Sequence, residues 1–218
     1  MSQVTNIMQP QSLPDQIAEW LIREISEERL APGERIREQY VAEQCSVSRG
    51  PVREAFQAVE KLGLIRLLPR RGAVVSPLDI HELKELFDIR AALTRVAVCR
   101  AIKYASDEQL GKLVTSARKL QLLTSDEDKF FIASNAIGEE FIRLTNSEKL
   151  REMMKPLHIQ IQRYRHHGFS NLTARNASAS AFLEIAEAMV ARNEQQAQQT
   201  VESVTGKLRA EVEKTFEA

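Results

Sequence analysis

Residues 46–75 read SVSRGPVREAFQAVEKLGLIRLLPRRGAVV, and this stretch decides the fold of the first third of the chain. Its first half has apolar residues at helical spacing and predicts a helix over 49–62, which Gly63 closes as a favoured C-terminal cap. Two short apolar runs, 64–68 and 73–76, follow on either side of a turn that is rich in Arg, Pro and Gly. The stretch therefore predicts a helix followed by a small β-hairpin.

Two further helices precede this stretch. The first runs from about Pro14 to Leu30, and the second covers Arg37 to Cys45. The side chains that the second helix would bury are Tyr40, Val41 and Cys45. Three helices followed by a hairpin predict a winged helix-turn-helix domain over residues 10–76.

Beyond Pro77 the sequence pattern is helical throughout. Side chains that commonly cap helices precede the later segments, at Ser106, Ser125-Asp126, Asn146-Ser147 and Asn193. The six predicted helices cover residues 79–104, 107–124, 126–145, 147–168, 175–192 and 194–216. We therefore expect a mainly α protein whose second domain, residues 79–218, is an antiparallel helical bundle.

The composition of the 218 residues excludes several classes of protein. Hydrophobic residues make up 43% and charged residues 28%, so the chain can bury a sizeable core and shows no disordered or collagenous bias. Its start lacks the pattern of a signal peptide, and no apolar run approaches the roughly 18 residues that span a membrane. The isolated Cys45 and Cys99 suit a reducing compartment, where each is expected to be a small core residue. We expect a cytoplasmic protein with no membrane partner.

Positive charge is concentrated in a short part of a chain that has 30 basic and 30 acidic residues in all. Residues 13–48 contain four basic and eight acidic side chains, whereas residues 49–71 contain six basic and two acidic ones. Such a local patch attracts a polyanion such as DNA. On charge alone, a solvated helix face explains the same distribution.

The same region resembles the DNA-binding half of the GntR family of bacterial regulators. The resemblance rests on PGERI at 32–36, VA at 41–42, VSRGPVREA at 47–55 and GLI at 63–65, with PRRGAVV at 69–75 similar to the family's wing. A helical domain after the wing is similar to the subfamily typified by the fatty-acid regulator, with weaker matches at 86–93 and 146–150. The resemblance implies a ligand-responsive transcription regulator that binds a pseudo-palindromic operator in double-stranded DNA as a homodimer.

The chemistry of the predicted recognition helix agrees with this resemblance. The amino end of such a helix enters the major groove, so polar residues are needed there. Arg49 and Arg53 lie four residues apart on one face, where each can bind a guanine edge or a phosphate. Gly72 would let the wing backbone approach DNA closely. The residues predicted to bind DNA are Arg35, Ser48, Arg49, Gly50, Pro51, Arg53, Arg70, Arg71 and Gly72.

Three residues depart from the family pattern. Ser46 stands where the family usually has Gly in the turn, Cys45 replaces a common Leu, and Gly50 occupies a position often filled by Thr. Ser46 is expected to strain or reshape the turn, and Gly50 removes a phosphate contact. The operator sequence therefore does not follow from the resemblance.

The resemblance also raises the question of a metal. Many members of this subfamily hold a divalent metal between helices through one Asp and three His side chains. None of the side chains at the matching positions of this chain can bind a metal. Those positions are Ala133, Ile137, Phe182 and Val204. We therefore expect no metal and no other cofactor.

Polar residues on apolar helix faces point instead to a small-molecule site. The helical phase places Arg90 on the buried face of the first bundle helix, and a buried guanidinium requires an anion or several acceptors. The other polar residues expected around the same cavity are Ser134, Asn135, His158 and Arg165. Apolar walls with a few donors suit a small organic acid as effector. Alternatively, Arg90 pairs with an Asp or Glu of a neighbouring helix.

Two other functions compete with that of a ligand-responsive regulator. A winged helix can be a protein-interaction module that does not bind DNA, and duplex binding that depends on salt distinguishes the two. An enzyme would need a nucleophile with a base, a metal cluster or a phosphate-binding loop, and the sequence contains none of the corresponding motifs. The sequence therefore indicates a regulator and not an enzyme.

Overall fold

The computed structural model describes residues 11–69, 71–164 and 169–217 of the chain. The chain divides into two compact units, Met1–Pro77 and Leu78–Ala218. Within the described ranges, no helix is both long enough and apolar enough to cross a membrane.

In its described residues, 11–69 and 71–77, the first unit is a winged helix-turn-helix with three helices and a three-stranded sheet. The helices are α1 (Leu13–Ser26), α2 (Glu38–Gln44) and α3 (Arg49–Lys61), and the strands are β1 (Arg35–Ile36), β2 (Ile65–Leu68) and β3 (Gly72–Val75). Both strand pairs are antiparallel, and β3 lies in the middle of the sheet. The predicted helices and hairpin are confirmed, although α1 ends at Ser26 and not at Leu30. The short strand β1 was not predicted.

The core of this unit lies between the helices and the inner face of the sheet. Fully buried side chains come from every part of it: Ile17, Leu21, Val41, Val52, Phe56, Val59, Leu64, Ile65 and Val75. The prediction that Tyr40 is buried is wrong, because 43% of its surface is exposed. The seven residues of α2 form two turns, whose buried positions are filled by Val41 and Ala42. Cys45 is half-buried at the end of α2, and Cys99 of the second unit is half-buried too.

The second unit is all-helical within the described residues, which confirms the mainly α fold. Its helices are α4 (Ile80–Tyr104), α5 (Asp107–Gln121), α6 (Glu127–Leu144), α7 (Glu148–Gln162), α8 (Leu172–Val190) and α9 (Glu194–Glu217). The largest difference from the sequence prediction is at α7, which ends at Gln162 and not at residue 168. The start of α8 is also earlier than predicted, since the Asn171 side chain caps it by accepting a 2.7 Å hydrogen bond from the Ala174 amide.

The predicted capping residues fix the other helix starts. Ser106 forms a reciprocal capping box with Gln109, and Asp126 and Ser147 each accept a hydrogen bond from the first turn of α6 and α7. The core between the helices contains Phe87, Leu110, Phe130 and Met154 among many other apolar side chains. Capped helix ends and a continuous apolar core hold the inward faces of α4, α6, α7 and α8 around a cavity.

Candidate nucleic-acid interface and effector cavity

The recognition helix α3 presents opposite faces to the core and to solvent. Val52, Ala55, Phe56 and Val59 are buried on its inner side. Its amino-terminal residues Ser48, Arg49, Gly50 and Arg53 are exposed, and Pro51 is half-buried. These exposed residues lie at the end of the helix that docks into a major groove in a helix-turn-helix. They form a polar surface that can reach bases and phosphates.

Side chains of α2 form hydrogen bonds with the two arginines of α3. Arg49 donates from Nε to Gln39 Oε1 at 2.8 Å, and Arg53 donates from Nε to Glu38 Oε2 at the same distance. The Arg53 side chain is 64% exposed, so this ion pair is a weak surface interaction. Because neither contact is buried, a nucleic acid can replace both.

The turn between α2 and α3 has the strain that its sequence predicts. Ser46 has a φ of +55°, in the left-handed region that glycine adopts without cost. A non-glycine residue there costs of the order of 1 to 2 kcal/mol. The following Ser48 is the N-cap residue of α3, but its side chain does not accept a hydrogen bond from the helix. The Ser48 hydroxyl is therefore not used to cap the helix.

The wing depends on Arg35 and Gly72 for its shape. The Arg35 guanidinium donates from Nε and Nη2 to the Arg71 carbonyl oxygen, at 3.1 and 3.0 Å, and so ties β1 to the tip. Gly72 has a φ of +85°, and a Cβ atom added there would lie 2.2 Å from the Ile36 carbonyl oxygen. The pairing of β1 with β3 therefore requires glycine whether or not DNA is bound. The Arg71 side chain is exposed, whereas Arg70 lies outside the described residues.

A cavity of about 570 Å³ lies inside the helical unit. Apolar side chains of α5 to α8 form most of its wall: Leu113, Ile137, Phe141, Met154, Leu157, Phe182 and Ile185. Arg90 and Thr94 reach it from α4, and His158 reaches it from α7. A smaller extension of the same region is lined by Arg90, His158, Ser134 and Asn135. Around Arg90, the cavity and its extension therefore combine an apolar wall with one guanidinium and several neutral polar groups.

Arg90 differs from Arg163 and Arg175, which are buried arginines of the same unit. Arg163 pairs with Glu82 and also donates to the Tyr164 hydroxyl at 3.1 Å. Arg175 donates to the carbonyl oxygens of Thr124, Phe169 and Ser170 at 2.7 to 2.8 Å. The Arg90 guanidinium has neither an ion pair nor a hydrogen bond to any described residue, and burial lowers its pKa. Its charge is therefore left without a counterion at the cavity wall.

His158 is held as a neutral imidazole beside this charge. Burial, together with the positive charge of Arg90, lowers the pKa of His158 to about 4. Its Nε2 atom lies 2.9 Å from Nε2 of Gln162, and an amide nitrogen can only donate. The neutral ring can accept this hydrogen bond at Nε2 with its proton on Nδ1. It offers a hydrogen-bond donor without adding a second charge.

Most of the residues predicted for the effector site line these cavities, and several others were missed. Arg90, Ser134, Asn135 and His158 come together, while Arg165 lies outside the described residues. The sequence pattern did not indicate the charged residues at the α6–α7 end of the cavity, which are Glu139, Arg143, Arg151 and Lys155. Charged side chains are common on exposed helix faces, so the sequence has no signal that singles out these four.

The residues at the expected metal positions do not fit a metal ion. Ile137 lines the larger cavity, and Phe182 lines both this cavity and its smaller extension. Val204 lines a further small cavity that Arg90 and Phe182 also border. In the part of the chain that the structure describes, no three His, Cys, Asp or Glu residues are grouped closely enough to bind a metal. Apolar side chains thus stand where the subfamily's metal ligands would be.

Comparisons with known proteins agree with both units. Residues 13–75 match the family described as bacterial regulatory proteins, gntR family, and residues 85–205 match the FCD domain. The Nta operon transcriptional regulator of Aminobacter aminovorans is 30% identical over 166 residues, 75% of this chain and 77% of that protein. The HTH-type transcriptional repressor RspR of Escherichia coli K12 is 24% identical over 195 residues, 88% of this chain and 86% of that protein.

Solved structures show the same fold over nearly the whole chain. The structure of E. coli McbR/YncC matches with a TM-score of 0.80 at 21% identity, covering 95% of this chain and 100% of the other. The curated relatives are transcription regulators and not enzymes. The winged helix, the helical unit and the two matched domains together show that this chain belongs to the GntR family of bacterial transcription regulators and has an FCD domain as its effector domain.

Proposed function

We propose that the protein acts as a homodimer on a pseudo-palindromic operator and that a small organic acid, bound at Arg90, changes its affinity for that operator. The observation that carries the effector part is the charge of Arg90, which faces a cavity without a counterion in the described structure. A carboxylate would supply the missing negative charge and two acceptor oxygens. The apolar wall would take the carbon skeleton of the acid.

The DNA part of the proposal rests on the exposed amino end of α3 and on the wing. Arg49 is assigned to a base edge, since it lies at the end of α3 that enters the major groove. Arg71 is assigned to a phosphate, since its side chain extends from the exposed tip of the wing. The two arginines should therefore contribute differently to sequence preference.

Operator binding tests this assignment with duplexes selected from a random pool. Arg49→Ala should cost about 1 to 3 kcal/mol on the selected duplex and relax its sequence preference. Arg71→Ala should weaken binding to selected and random duplexes by similar factors and should reduce the salt dependence. If the folded parent binds neither duplex, the winged helix is a protein-interaction module instead.

Thermal unfolding with a panel of mono- and dicarboxylic acids tests the effector part. At least one acid should raise the Tm of the parent, because a ligand that binds the native state stabilises it. Arg90→Lys keeps the charge but loses the planar fork that binds a carboxylate with two hydrogen bonds, so this shift should largely disappear. Arg118→Lys, an exposed position on α5, is the matched control and should keep the shift. An equal shift in the parent and Arg90→Lys would argue against Arg90 as the anchor.

A further inference from the structure

One face of α4 is apolar and exposed, opposite the face that lines the cavity. Ile89 is 49% exposed and Val96 is 52% exposed, large values for apolar side chains at the middle of a long helix. Ala92 is exposed as well, and Cys99 is half-buried. These four residues follow one another at intervals of 3, 4 and 3 and so form one continuous stripe along the helix. We call Ile89, Ala92, Val96 and Cys99 the α4 stripe.

The α4 stripe ends in opposite charges. Glu85 lies four residues before Ile89, and Lys103 lies four residues after Cys99, on the same face. Within the described ranges, Glu85 has no ion pair, and the Lys103 ammonium contacts only the neighbouring Tyr104 ring, 5.3 Å from its centroid. Both charges are exposed and available to a partner.

The spacing of the stripe is the same when it is read in either direction. From Glu85 through the four stripe residues to Lys103, the intervals in sequence are 4, 3, 4, 3 and 4. Such a palindromic order lets a helix pack antiparallel against its own copy with every residue matched. In the register centred on Thr94, Ala92 lies opposite Val96 of the second copy and Ile89 lies opposite Cys99. The same register places Glu85 opposite Lys103, so the charged ends attract each other. A parallel pairing would place like charges together and lacks this complementarity.

We propose that the α4 stripe is the dimer interface of this protein and that it packs antiparallel against the α4 stripe of a second copy. The inference rests on the proposed dimeric regulator and adds the surface and the register. It also places the dimer contact on the same helix as Arg90, on the opposite face. An acid that moves α4 would therefore act directly on the contact between the two copies.

A charge exchange tests the register. Sedimentation velocity of the full chain at low salt should show a dimer, and Glu85→Lys or Lys103→Glu should each weaken it about tenfold, since the two-fold axis repeats every charge pair. The double variant Glu85→Lys with Lys103→Glu should restore the dimer to within about threefold of the parent, because the pair is re-formed with its signs exchanged. Weakening without restoration would overturn the register.

Cross-linking gives a second, independent readout. In a Cys45→Ser background, Ile89→Cys should form a covalent dimer with the native Cys99 of the second copy under mild oxidation. Ile132→Cys, which is 72% exposed on α6, is the matched control and should stay uncross-linked. If the parent is dimeric but the double variant is not restored and Ile89→Cys does not cross-link, the α4 stripe is not the interface. The dimeric regulator would then form through another surface. A parent that is monomeric both free and on its operator would overturn both proposals.

Discussion

Arg90 carries a charge that the described part of the fold does not neutralise, and this has a consequence for stability. A buried charge without a partner costs free energy, whereas an apolar side chain of similar length costs none. We predict that Arg90→Met raises the free energy of unfolding in the absence of acid by about 1 to 3 kcal/mol. Chemical denaturation at neutral pH measures this change. The same variant should no longer bind the acid, so the gain in stability is accompanied by a loss of function.

Arg175→Met is the matched control for this prediction. Its guanidinium satisfies three carbonyl oxygens, so its removal leaves buried acceptors without donors. We expect Arg175→Met to lower the free energy of unfolding by about 3 kcal/mol. If Arg90→Met were also destabilising, Arg90 would have an ionic partner in the fold, and the ion-pair alternative would replace the anion site.

His158 makes stability depend on pH in a defined direction. Its pKa is about 4 in the folded protein and about 6.5 when unfolded, so the unfolded chain binds more protons between these values. Stability is therefore lost as the pH falls from 7 towards 4. From these two pKa values, the loss between pH 7 and pH 5 is about 2 kcal/mol.

Replacing His158 by Gln should remove this part of the pH dependence. Unfolding titrations at pH 7 and pH 5 should show a loss for His158→Gln that is smaller than the parent's by about 2 kcal/mol. His81→Gln, at an exposed position, is the control and should lose as much stability between pH 7 and pH 5 as the parent. The comparison corrects for carboxyl groups that titrate in the same range. Equal losses in all three proteins would mean that His158 is protonated in the folded state as easily as in the unfolded chain.

At the scale of elements, two glycines of the DNA-binding unit have opposite roles. Gly72→Ala would place a Cβ atom against the Ile36 carbonyl oxygen at a positive φ, so we expect a loss of about 2 kcal/mol or more. Gly50→Ala meets no atom within 4 Å and should gain up to about 0.5 to 1 kcal/mol from helix propensity. Thermal unfolding of both variants checks the pair. A tolerated Gly72→Ala would show that β1 does not need its close contact with β3.

The sequence predicts the helices and the wing because their signals are local. Helical spacing and capping residues such as Ser106 and Asp126 lie within the elements that they define. Strand β1 has two residues and is a strand only because it pairs with β3, nearly forty residues later in the chain. The exposure of Tyr40 likewise depends on how few positions of α2 face the core. Such features follow from tertiary packing and have no local signal.

The effector site is predictable to the extent that helical phase determines it. Phase alone identifies Arg90 and His158 as inward-facing residues, and the structure brings both to one cavity. Helical phase does not distinguish an inward-facing arginine that has hydrogen-bond or ionic partners from one that has none. Arg163 and Arg175 are buried and bound, and this becomes clear only when Glu82 and the carbonyl oxygens around them are located.

At the scale of the whole molecule, the features for DNA binding and for effector binding lie in different units. The basic surface and the wing lie in the first unit, and the cavity lies in the second. Arg90 is on α4, the first helix after the boundary at Pro77. In the proposed dimer, an acid changes operator affinity only if it binds one arrangement of the two winged helices more tightly than another. The coupling is therefore measurable as a difference in operator affinity.

Operator affinity with and without acid tests the central claim most directly. Fluorescence anisotropy of a selected duplex would be recorded for the parent and Arg90→Met, each with the acid that gives the largest Tm shift in the parent. We predict that the acid changes the Kd of the parent at least fivefold, the lower end of typical allosteric coupling. Arg90→Met should bind the duplex as the free parent does and should not respond to the acid. An unchanged Kd in the parent, or an equal response in Arg90→Met, would contradict regulation by an acid bound at Arg90.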